Sequence, residues 1–392
     1  MTLLHICNDF AGSKVHVNLT KQLDDKDIDQ VVYCPVRDKQ LVGKNKFDGK
    51  QIEFIYSFCI KSWYKYTYHY KAFKLYKDLK RNVDLSSVNI IHAHTLFSDG
   101  VLAYKAHKEY GLPYVVAVRN TDVNDYIRLM RHCYHTGREI LLNAEKVFFI
   151  SAALKKKFEE SKFVEPILEK VKHKFVLQPN GIDDYWHEHI SHDVRKGHDV
   201  LYVGDFSANK NVVRLAEAII ELRKEDGFNN VRLKIVGGEV KGGGRRNDGK
   251  TQAVIDANPE AIMALGKIYD KDKLSEVMRS CSVFAMPSIY ETFGLVYLEA
   301  LSQNLPVVYT KGQGIDGMFD DTVGIGVNPL SVEEIKDAIK VILQNSIKYG
   351  NQHVCFDDFK WSEIAGKYIS MSYNKFLNKI NRDLNIYAHN SA

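Results

Sequence analysis

Short apolar runs rich in valine and isoleucine alternate with amphipathic stretches along the whole chain, and this alternation limits the fold more than any other feature. Each run has the length of one buried strand, and each amphipathic stretch has the length of a covering helix. The predicted strands are residues 3–7, 31–34, 90–92, 114–118, 147–150, 175–177, 200–203, 233–236, 283–286 and 307–309. The clearest predicted helices are residues 15–23, 212–224, 272–280 and 332–344. The pattern predicts parallel sheets with helices on both faces.

A chain of 392 residues is too long for one ordinary hydrophobic core, so we expect two domains. The turn-forming sequence PNGID at 179–183 follows a predicted strand and marks the boundary. We predict an α/β fold with two doubly wound Rossmann-like domains that face a central cleft. The first is 1–178, completed by a C-terminal helix at about 360–392, and the second is 179–359. Ligands of such folds bind beyond the carboxyl ends of the strands.

The composition excludes several classes of protein. An apolar fraction of 45% with 26% charged residues is typical of a soluble globular protein, and a net charge of +5 does not indicate nucleic-acid binding. The six cysteines are scattered without a CxxC pair, which favours a reducing compartment. The N-terminal sequence MTLLHICNDF lacks the features of a signal peptide, and no apolar run approaches the roughly 20 residues that span a bilayer. We expect a cytoplasmic protein.

The sequence ETFGLVYLE at 291–299 carries the strongest functional signal. Glu291 and Glu299 flank Gly294, between the predicted strand 283–286 and an apolar helical segment that runs to Leu301. Glycine lets a ligand approach the backbone, and the N–H groups of a first helical turn favour an anion. The arrangement suits a ligand with a central diphosphate and hydroxylated groups at both ends, such as a sugar nucleotide. The alternative is two solvated glutamates near a helix start.

Two further strand-to-helix turns carry residues of interest. Gly12 lies in the turn NDFAGS at 8–13, where it could let a phosphate reach a helix N-terminus, although a plain structural turn gives the same pattern. Lys210 follows the strand at 200–203 and could place its ammonium near a leaving diphosphate. A solvated surface lysine is the alternative for Lys210.

Several apparent motifs are interpreted as non-functional. The stretch GRRNDGKT at 244–251 matches a P-loop pattern, but its preceding strand ends near Val236, so we predict a surface loop. We take the side chains of His92 and His94 as pointing to opposite faces of their strand, and we predict no metal site there. The histidines at 187, 189 and 192 have no cysteine or patterned carboxylate partner, and we predict no metal there either.

The segment 61–81 interleaves six lysines and one arginine with aromatic residues and contains a single acid, Asp78. If it is helical, it could lie on an anionic membrane surface with its rings at headgroup level. A half-buried helix with a solvated basic face explains the same pattern, and both interpretations stay open. Nucleic-acid binding lacks a supporting fold motif.

Five stretches, in order and spacing, resemble the large retaining family four of the GT-B glycosyltransferases over nearly the whole chain. They are PNGID, VGDFSANKN, LGKIYDKDKL, PSIYETFGLVYLEALSQNLPV and YTKGQG. The resemblance implies sugar transfer from a nucleotide donor with retention of configuration and without an essential metal or other cofactor. It also implies a C-terminal helix that crosses back onto the first domain.

The resemblance also implies roles for individual residues. Glu299 would hold the ribose hydroxyls, and Glu291 would lie near the donor sugar. The backbone of Phe293, Gly294 and Leu295 would contact sugar and phosphate oxygens. Lys210 would stabilise the leaving diphosphate, and the backbone around Ile268 would frame the base.

Two positions depart from the family pattern. Asp205 stands where the family usually has an arginine beside the lysine, so Arg119, Lys311 or the pair Arg245 and Arg246 would have to compensate. Arg119 also lies where the family often has a histidine near the sugar. We therefore assign the catalytic set to Glu291, Lys210 and Arg119, and donor binding to Glu299, Phe293, Gly294, Leu295, Gly12 and Ile268.

The expected function is a metal-independent, retaining hexosyltransferase of surface-polysaccharide biosynthesis. By family habit, its donor would be a UDP-sugar and its acceptor a saccharide or lipid-linked saccharide, with peripheral contact at the inner face of the membrane through 61–81. One alternative, motivated by Asp205, is a nucleotide-sugar-binding subunit with little activity. Another is a P-loop NTPase.

Overall fold

The computed structural model describes residues 2–194, 197–238 and 248–373. These residues divide into two compact units. The first comprises 2–150, 154–181 and 361–373, and the second comprises 151–153 and 182–360. The main junction in the sequence falls between Gly181 and Ile182, inside the turn-forming PNGID stretch.

The first unit contains a seven-stranded sheet in the order β3-β2-β1-β4-β5-β6-β7, in which every pairing is parallel. Its strands are β1 Thr2–Ile6, β2 Asp29–Val36, β3 Ile52–Phe58, β4 Ile90–Ala93, β5 Tyr114–Val118, β6 Lys146–Phe149 and β7 Phe175–Leu177. The strand order reverses at β1, which is the mark of a doubly wound sheet. Strands β4 and β5 are buried at every residue, as expected for a sheet covered on both faces.

The second unit contains a six-stranded parallel sheet in the order β10-β9-β8-β11-β12-β13. Its strands are β8 Asp199–Asp205, β9 Arg232–Gly238, β10 Ile262–Gly266, β11 Val283–Ala285, β12 Val307–Thr310 and β13 Gly324–Val327. The order reverses at β8, beside β11. The prediction of two doubly wound α/β domains is confirmed.

Helices connect the strands in both units. In chain order they are α1 Lys14–Asp24, α2 Tyr68–Asn82, α3 Gly100–Tyr110, α4 Tyr134–Asn143, α5 Ala152–Glu159, α6 Leu168–Val171, α7 Asp184–Glu188, α8 Val212–Leu222, α9 Asp248–Ala257, α10 Lys271–Arg279, α11 Leu295–Ser302, α12 Val332–Gln344 and α13 Trp361–Tyr368. The four helices predicted most clearly are present as α1, α8, α10 and α12. Within the described part of the chain, no helix is both long enough and apolar enough to cross a membrane.

Three strands that the sequence analysis did not predict, β3, β10 and β13, all lie at the edges of their sheets. An edge strand has a neighbour on one side only, so more of its surface stays in contact with water. Strand β10 has a single buried residue, Ile262, and β3 contains no buried residue. Such strands lack the continuous apolar run that identifies a central parallel strand.

The last described helix, α13, belongs to the core of the first unit. Its buried residues Trp361, Ile364, Ala365 and Tyr368 pack in one cluster with residues of β1, α1, β5 and β6. The predicted C-terminal helix therefore has its first turns in this core, and its part at 374–392 lies outside the described residues.

We predict that Ile364→Ala destabilises the first unit. Ile364 is 1% exposed, so its truncation leaves a cavity in the core and should lower the free energy of unfolding by about 2–5 kcal/mol. A urea titration followed by circular dichroism measures the change. The neighbouring Glu363 is exposed, and Glu363→Ala should change the unfolding free energy by less than about 0.5 kcal/mol. Equal effects of the two substitutions would contradict the packing of α13.

Candidate functional site

Lys210 and the residues from Glu291 to Gly294 lie in loops at the carboxyl ends of β8 and β11. These two strands are neighbours in the sheet, and both are parallel, so the loops that follow them leave the same edge. The first loop contains a single 3₁₀ turn, Ala208–Lys210, before α8. The second runs from Met286 to Gly294, before α11.

Hydrogen bonds of Asn209 fasten the first loop to the second. Its side-chain amide donates to the Tyr290 carbonyl at 2.8 Å, and its side-chain oxygen accepts from the Tyr290 N–H at 3.0 Å. The Asn209 carbonyl accepts from the Ile289 N–H at 2.8 Å. Lys210 and Glu291 are the next residues along the two loops, so this pairing brings them side by side.

Asn211 fastens the same turn to a third loop. Its backbone is left-handed, with φ of 59°, a conformation that asparagine tolerates better than most residues. Its buried amide donates to the carbonyls of Pro287 at 3.0 Å and Pro329 at 2.6 Å. The sequence analysis quoted Asn209 and Asn211 only as letters of a family motif, and it assigned them no role.

Lys210 and Glu291 form an ion pair with an Nζ–Oε2 distance of 2.8 Å. Their side chains are only 24% and 13% exposed, so the pair is partly removed from water. The other carboxylate oxygen of Glu291 accepts from the Thr292 N–H at 3.1 Å. The sequence analysis placed both residues at the same ligand, and the structure places their charged groups in contact.

Gly294 precedes α11 with a positive φ of 80°. An added Cβ would lie 2.5 Å from the Tyr297 ring, whose hydroxyl donates to the Met286 carbonyl. A glycine is therefore required here for two reasons: the positive φ disfavours other residues, and a Cβ would collide with the Tyr297 ring. Leu295 is the first residue of α11, and its turn has the free N–H groups of any helix start. Phe293 is 2% exposed, which leaves only its backbone for a ligand.

Glu299 lies in the second turn of α11 and is partly buried. Burial raises its pKa to about 7, and the nearby carboxylate of Asp183 acts in the same direction. The Lys271 ammonium and a hydrogen bond from the Trp186 indole oppose this shift. The Asp183 carboxylate also accepts a hydrogen bond from the Tyr185 N–H. It thereby caps α7, the helix that contains Trp186. Trp186 and Lys271 were missed, because no local motif connects them with Glu299.

The remaining predicted residues of this unit lie as follows. Ile268 is half-buried in the loop between β10 and α10. Asp205 ends β8, and its carboxylate accepts from the Ser207 N–H at 2.8 Å, so the acid shapes the turn. The side chain of Lys311 is 68% exposed, and its Nζ lies 3.8 Å from Oε2 of Glu334. Arg245 and Arg246 lie outside the described residues.

Gly12 and Arg119 belong to the first unit. Gly12 lies in the turn between β1 and α1, where an added Cβ would lie within 2.4 Å of the Asp9 carboxylate. Arg119 follows β5, and its Nε donates to the His94 carbonyl at 3.2 Å. A cavity of about 540 Å³ in this unit is lined by Asn8, Asp9, Gly12, Arg37, Lys61, Lys71, Tyr126 and their neighbours. The assignment of Gly12 and Arg119 to the donor site stays a prediction.

The prediction that His92 and His94 point to opposite faces is wrong. Their rings stack with centroids 4.1 Å apart and an interplanar angle of 13°. Successive residues of a strand alternate between faces, so residues two apart share a face. His5 of β1 joins them, with its Nδ1 2.9 Å from His94 Nε2.

The histidines at 187, 189 and 192 have ring nitrogens in hydrogen-bond contact with Phe359, Tyr185 and Asn351 respectively. Among the side chains that the structure describes, these three histidines do not belong to a cluster whose ligand atoms are close enough to share a metal ion.

Of the P-loop match, only its last residues, from Asp248 onward, are described, and they lie in α9. Lys250 is exposed there, and residues 244–247 lie outside the described part of the chain.

Helix α2 explains the basic-aromatic segment in part. Tyr68, Ala72, Leu75, Tyr76 and Leu79 are buried, so the helix is half-buried. Its outer surface and the preceding turn expose aromatic rings, with Trp63 46%, Tyr66 75%, Tyr70 43% and Phe73 57% exposed. The Trp63 and Tyr70 rings stack at 5.3 Å, and Lys74 lies over Tyr70 at 5.4 Å. The outer face is therefore aromatic as well as basic.

Comparison with known proteins identifies related sequences and folds. The chain is 22% identical over 342 residues to an uncharacterized glycosyltransferase of Methanocaldococcus jannaschii, with 86% of this chain and 85% of that protein covered. It is 24% identical to the alpha-monoglucosyldiacylglycerol synthase of Acholeplasma laidlawii, with 70% and 71% covered. The crystal structure of Anabaena HepE in complex with UDP and glucose superposes with a TM-score of 0.62 at 16% identity, covering 94% of this chain and 98% of that one.

Two family models match successive halves of the sequence. Residues 12–186 match the model described as Glycosyltransferase Family 4, and residues 187–353 match the model described as Glycosyl transferases group 1. Together they cover both units of the fold, and the superposed solved structures share its two-sheet architecture. The chain therefore belongs to family four of the GT-B glycosyltransferases.

Proposed function

We propose that the protein is a retaining hexosyltransferase that moves a sugar from a UDP-sugar to a saccharide or lipid-linked saccharide acceptor in surface-polysaccharide biosynthesis. We further propose that the transfer itself needs no metal. The observation that carries the proposal is the ion pair of Lys210 and Glu291, held beside Gly294 and the start of α11, with Glu299 one turn further along.

The donor's charge distribution matches these groups. Its diphosphate would lie at the α11 N-terminus, where the N–H groups favour an anion. During transfer the bond between the anomeric carbon and the diphosphate oxygen breaks, which leaves negative charge on the diphosphate and positive charge on the sugar. Lys210 would stabilise the first and the Glu291 carboxylate the second.

Two similarities support the choice of substrates. HepE, which shares the fold, is described in complex with UDP and glucose. The Acholeplasma relative is named as a synthase of monoglucosyldiacylglycerol, a lipid that carries a sugar. A nucleotide-sugar-binding subunit is the alternative that Asp205 motivates, because that position lacks the family's arginine. Activity measurements on the ion pair distinguish the two.

We expect binding of UDP-glucose to weaken as the pH falls below about 7. Glu299 must be ionised to accept hydrogen bonds from two ribose hydroxyls, and burial raises the pKa of this carboxyl to about 7 in the free protein. Binding favours the charged form and so releases a proton, and affinity falls by up to about tenfold for each pH unit below the pKa. Isothermal titration from pH 5.5 to 8.5, in EDTA and in magnesium, measures the slope.

Glu299→Gln is the matched control for this pH dependence, since it keeps the shape and removes the titrating proton. The variant should bind UDP-glucose more weakly at pH 8 and show a flat profile. A slope unchanged by the substitution would refute the assignment of Glu299 to the ribose. Binding of ATP in the presence of magnesium, without binding of UDP-glucose, would instead support the P-loop hypothesis.

Lys210→Ala should lower kcat for sugar transfer by about 10²–10³-fold, the usual effect of removing one group that stabilises charge in the transition state. Glu291→Gln should also abolish most turnover, while UDP-glucose still binds. Release of UDP under single-turnover conditions measures both. Lys224→Ala is the control, because Lys224 is an exposed lysine of the same unit that has no role in the candidate site. A wild-type protein that binds UDP-glucose without releasing UDP would favour a binding subunit, and turnover that survives both substitutions would refute the roles assigned to the pair.

We also propose that the aromatic surface formed by Trp63, Tyr66, Tyr70 and Phe73 contacts an anionic membrane during transfer to a lipid-linked acceptor. Lysines 61, 74 and 77 accompany these rings, and basic and aromatic side chains together favour the headgroup region of anionic bilayers. Exposed rings of this size are otherwise costly in water.

The double variant Trp63→Ala/Phe73→Ala should bind vesicles of phosphatidylglycerol and phosphatidylcholine at least about tenfold more weakly than the wild type, because two large apolar side chains no longer enter the interface. Vesicle flotation measures the change. Tyr110→Ala/Leu129→Ala removes two exposed apolar side chains elsewhere in the same unit and should leave binding intact. Identical binding of both variants would rule out this surface.

A further inference from the structure

Three buried side chains converge where β1 and β4 end and α1 begins. Cys7 follows β1, His16 lies in the first turn of α1, and His94 follows β4. Strands β1 and β4 are parallel neighbours, so their carboxyl ends share one edge, and α1 starts beside it. The three residues are 0%, 7% and 1% exposed, and their ligand atoms lie within 4.8 Å of one another.

The hydrogen bonds around His94 determine which of its nitrogens carries a proton. The Gln30 side-chain amide donates to the Thr20 carbonyl, so its oxygen faces His5 Nε2 at 3.1 Å and accepts from it. A neutral imidazole carries one proton, so with that proton on Nε2 the Nδ1 of His5 has none. His94 Nε2 must then be the donor to His5 Nδ1 across their 2.9 Å contact.

His94 Nδ1 consequently holds a bare lone pair. A neutral imidazole with its proton on Nε2 has none on Nδ1. No hydrogen-bond donor reaches Nδ1 among the residues that the structure describes. A fully buried acceptor without a donor is costly and calls for a specific explanation, such as a bound ion. His5 contacts the other nitrogen of His94, and Gln30 holds His5 in turn; outer-shell partners of this kind fix the ring orientation of a metal-binding histidine.

We propose that Cys7, His16 and His94 form a binding site for a zinc-class transition-metal ion, separate from the sugar-transfer residues of the second unit. One thiolate and two imidazoles are ligands that Zn²⁺ and Co²⁺ prefer. Bond lengths of about 2.0–2.3 Å in a tetrahedral site set the ligand atoms roughly 3.3–3.6 Å apart. The observed spacing reaches this range with side-chain movements of about an ångström.

The charges nearby can balance a dication. Asp99 is 1% exposed, and its Oδ2 accepts no hydrogen bond from the described part of the chain. Its carboxyl lies close enough to the Cys7 thiol to act on it electrostatically. Metal binding would release the protons of the Cys7 thiol and the Asp99 carboxyl, and the resulting thiolate and carboxylate would together neutralise a doubly charged ion. The guanidinium of Arg119 also lies nearby and repels a cation, so both negative groups are required.

A metal at this position would hold the turn that carries Gly12. Cys7 immediately precedes that turn at 8–13, and His16 follows its last residue by three positions, so both of its ends would be ligated. The metal would act as a structural clamp in the first unit. This inference does not depend on the proposed sugar transfer, because it concerns binding by different residues.

The test is a titration of the full chain with Co²⁺ after removal of metals by a chelator and cleavage of any histidine tag. We expect about one Co²⁺ per chain, a thiolate-to-cobalt charge-transfer band in the near ultraviolet, the intense visible bands of tetrahedral cobalt, and displacement by Zn²⁺. Cys7→Ser should abolish the charge-transfer band, and His94→Gln should weaken binding strongly. Cys355→Ser and His135→Asn are the controls, because both residues are exposed.

Absence of the charge-transfer band in the folded wild-type chain would overturn the proposal, whatever happens to the variants. A band that persists in Cys7→Ser would place the metal elsewhere and overturn it equally. If His94→Gln fails to fold, His16→Gln replaces it, with the same expected loss of visible intensity. Donor binding is measured separately on the metal-free chain, so that failure of the metal site can be told apart from failure of the proposed sugar transfer.

Discussion

The hydrogen bonds of Asn209 and Asn211 are the interaction on which the candidate site depends. Loops at the edge of a parallel sheet have no ladder of their own, so their backbone groups need other partners. Asn211 meets this need for two carbonyls at once, one after β11 and one after β13. Its own side-chain oxygen accepts from Arg214 at 3.0 Å, so the buried amide is fully used. Few other side chains could combine two donors with a left-handed backbone.

The placement of charge follows from this scaffold. Asn209 and Asn211 flank Lys210, so the backbone on both sides of the lysine is fixed, and its ammonium reaches Glu291 with little freedom. A partly buried pair costs desolvation energy, which good geometry must offset. Glu299 has a neutral hydrogen-bond donor, the Trp186 indole, and burial raises its pKa to about 7. The two glutamates of one nine-residue motif therefore have different environments.

The central strands and the long amphipathic helices could be predicted from sequence, and the edge strands could not. Strand β5 is a run of five buried residues, and α12 was predicted with its observed bounds. Strand β13, with the sequence GIGV, has two glycines and too few side chains to signal a strand. The motif residues Glu291, Gly294 and Lys210 were found because they are close in sequence to strand ends. Trp186 and Lys271 reach Glu299 only through tertiary packing, which no local pattern reports.

The histidine cluster illustrates a different reason for failure. His92 and His94 share a face by simple strand geometry, and the sequence analysis applied that rule wrongly. His5 and His16 could not have been added by any local rule, because they come from another strand and a helix. Convergence of side chains from three elements at one sheet edge requires the strand order, which the sequence pattern does not specify.

Asp205 shows how a local requirement can alter the charge of a site. Its carboxylate accepts from the Ser207 N–H and shapes the turn before Lys210, a contact that an arginine could not make. With an aspartate where the family usually has an arginine, the site has one cation fewer near the proposed diphosphate. A helix start offers about half a positive charge and Lys210 one more, against two negative charges on the diphosphate of a nucleotide sugar. If this donor binds as proposed, Lys210 must exchange Glu291 for the phosphate, and Glu291 is then free to face the sugar. The ion pair would thus hold both groups in position until the donor separates them.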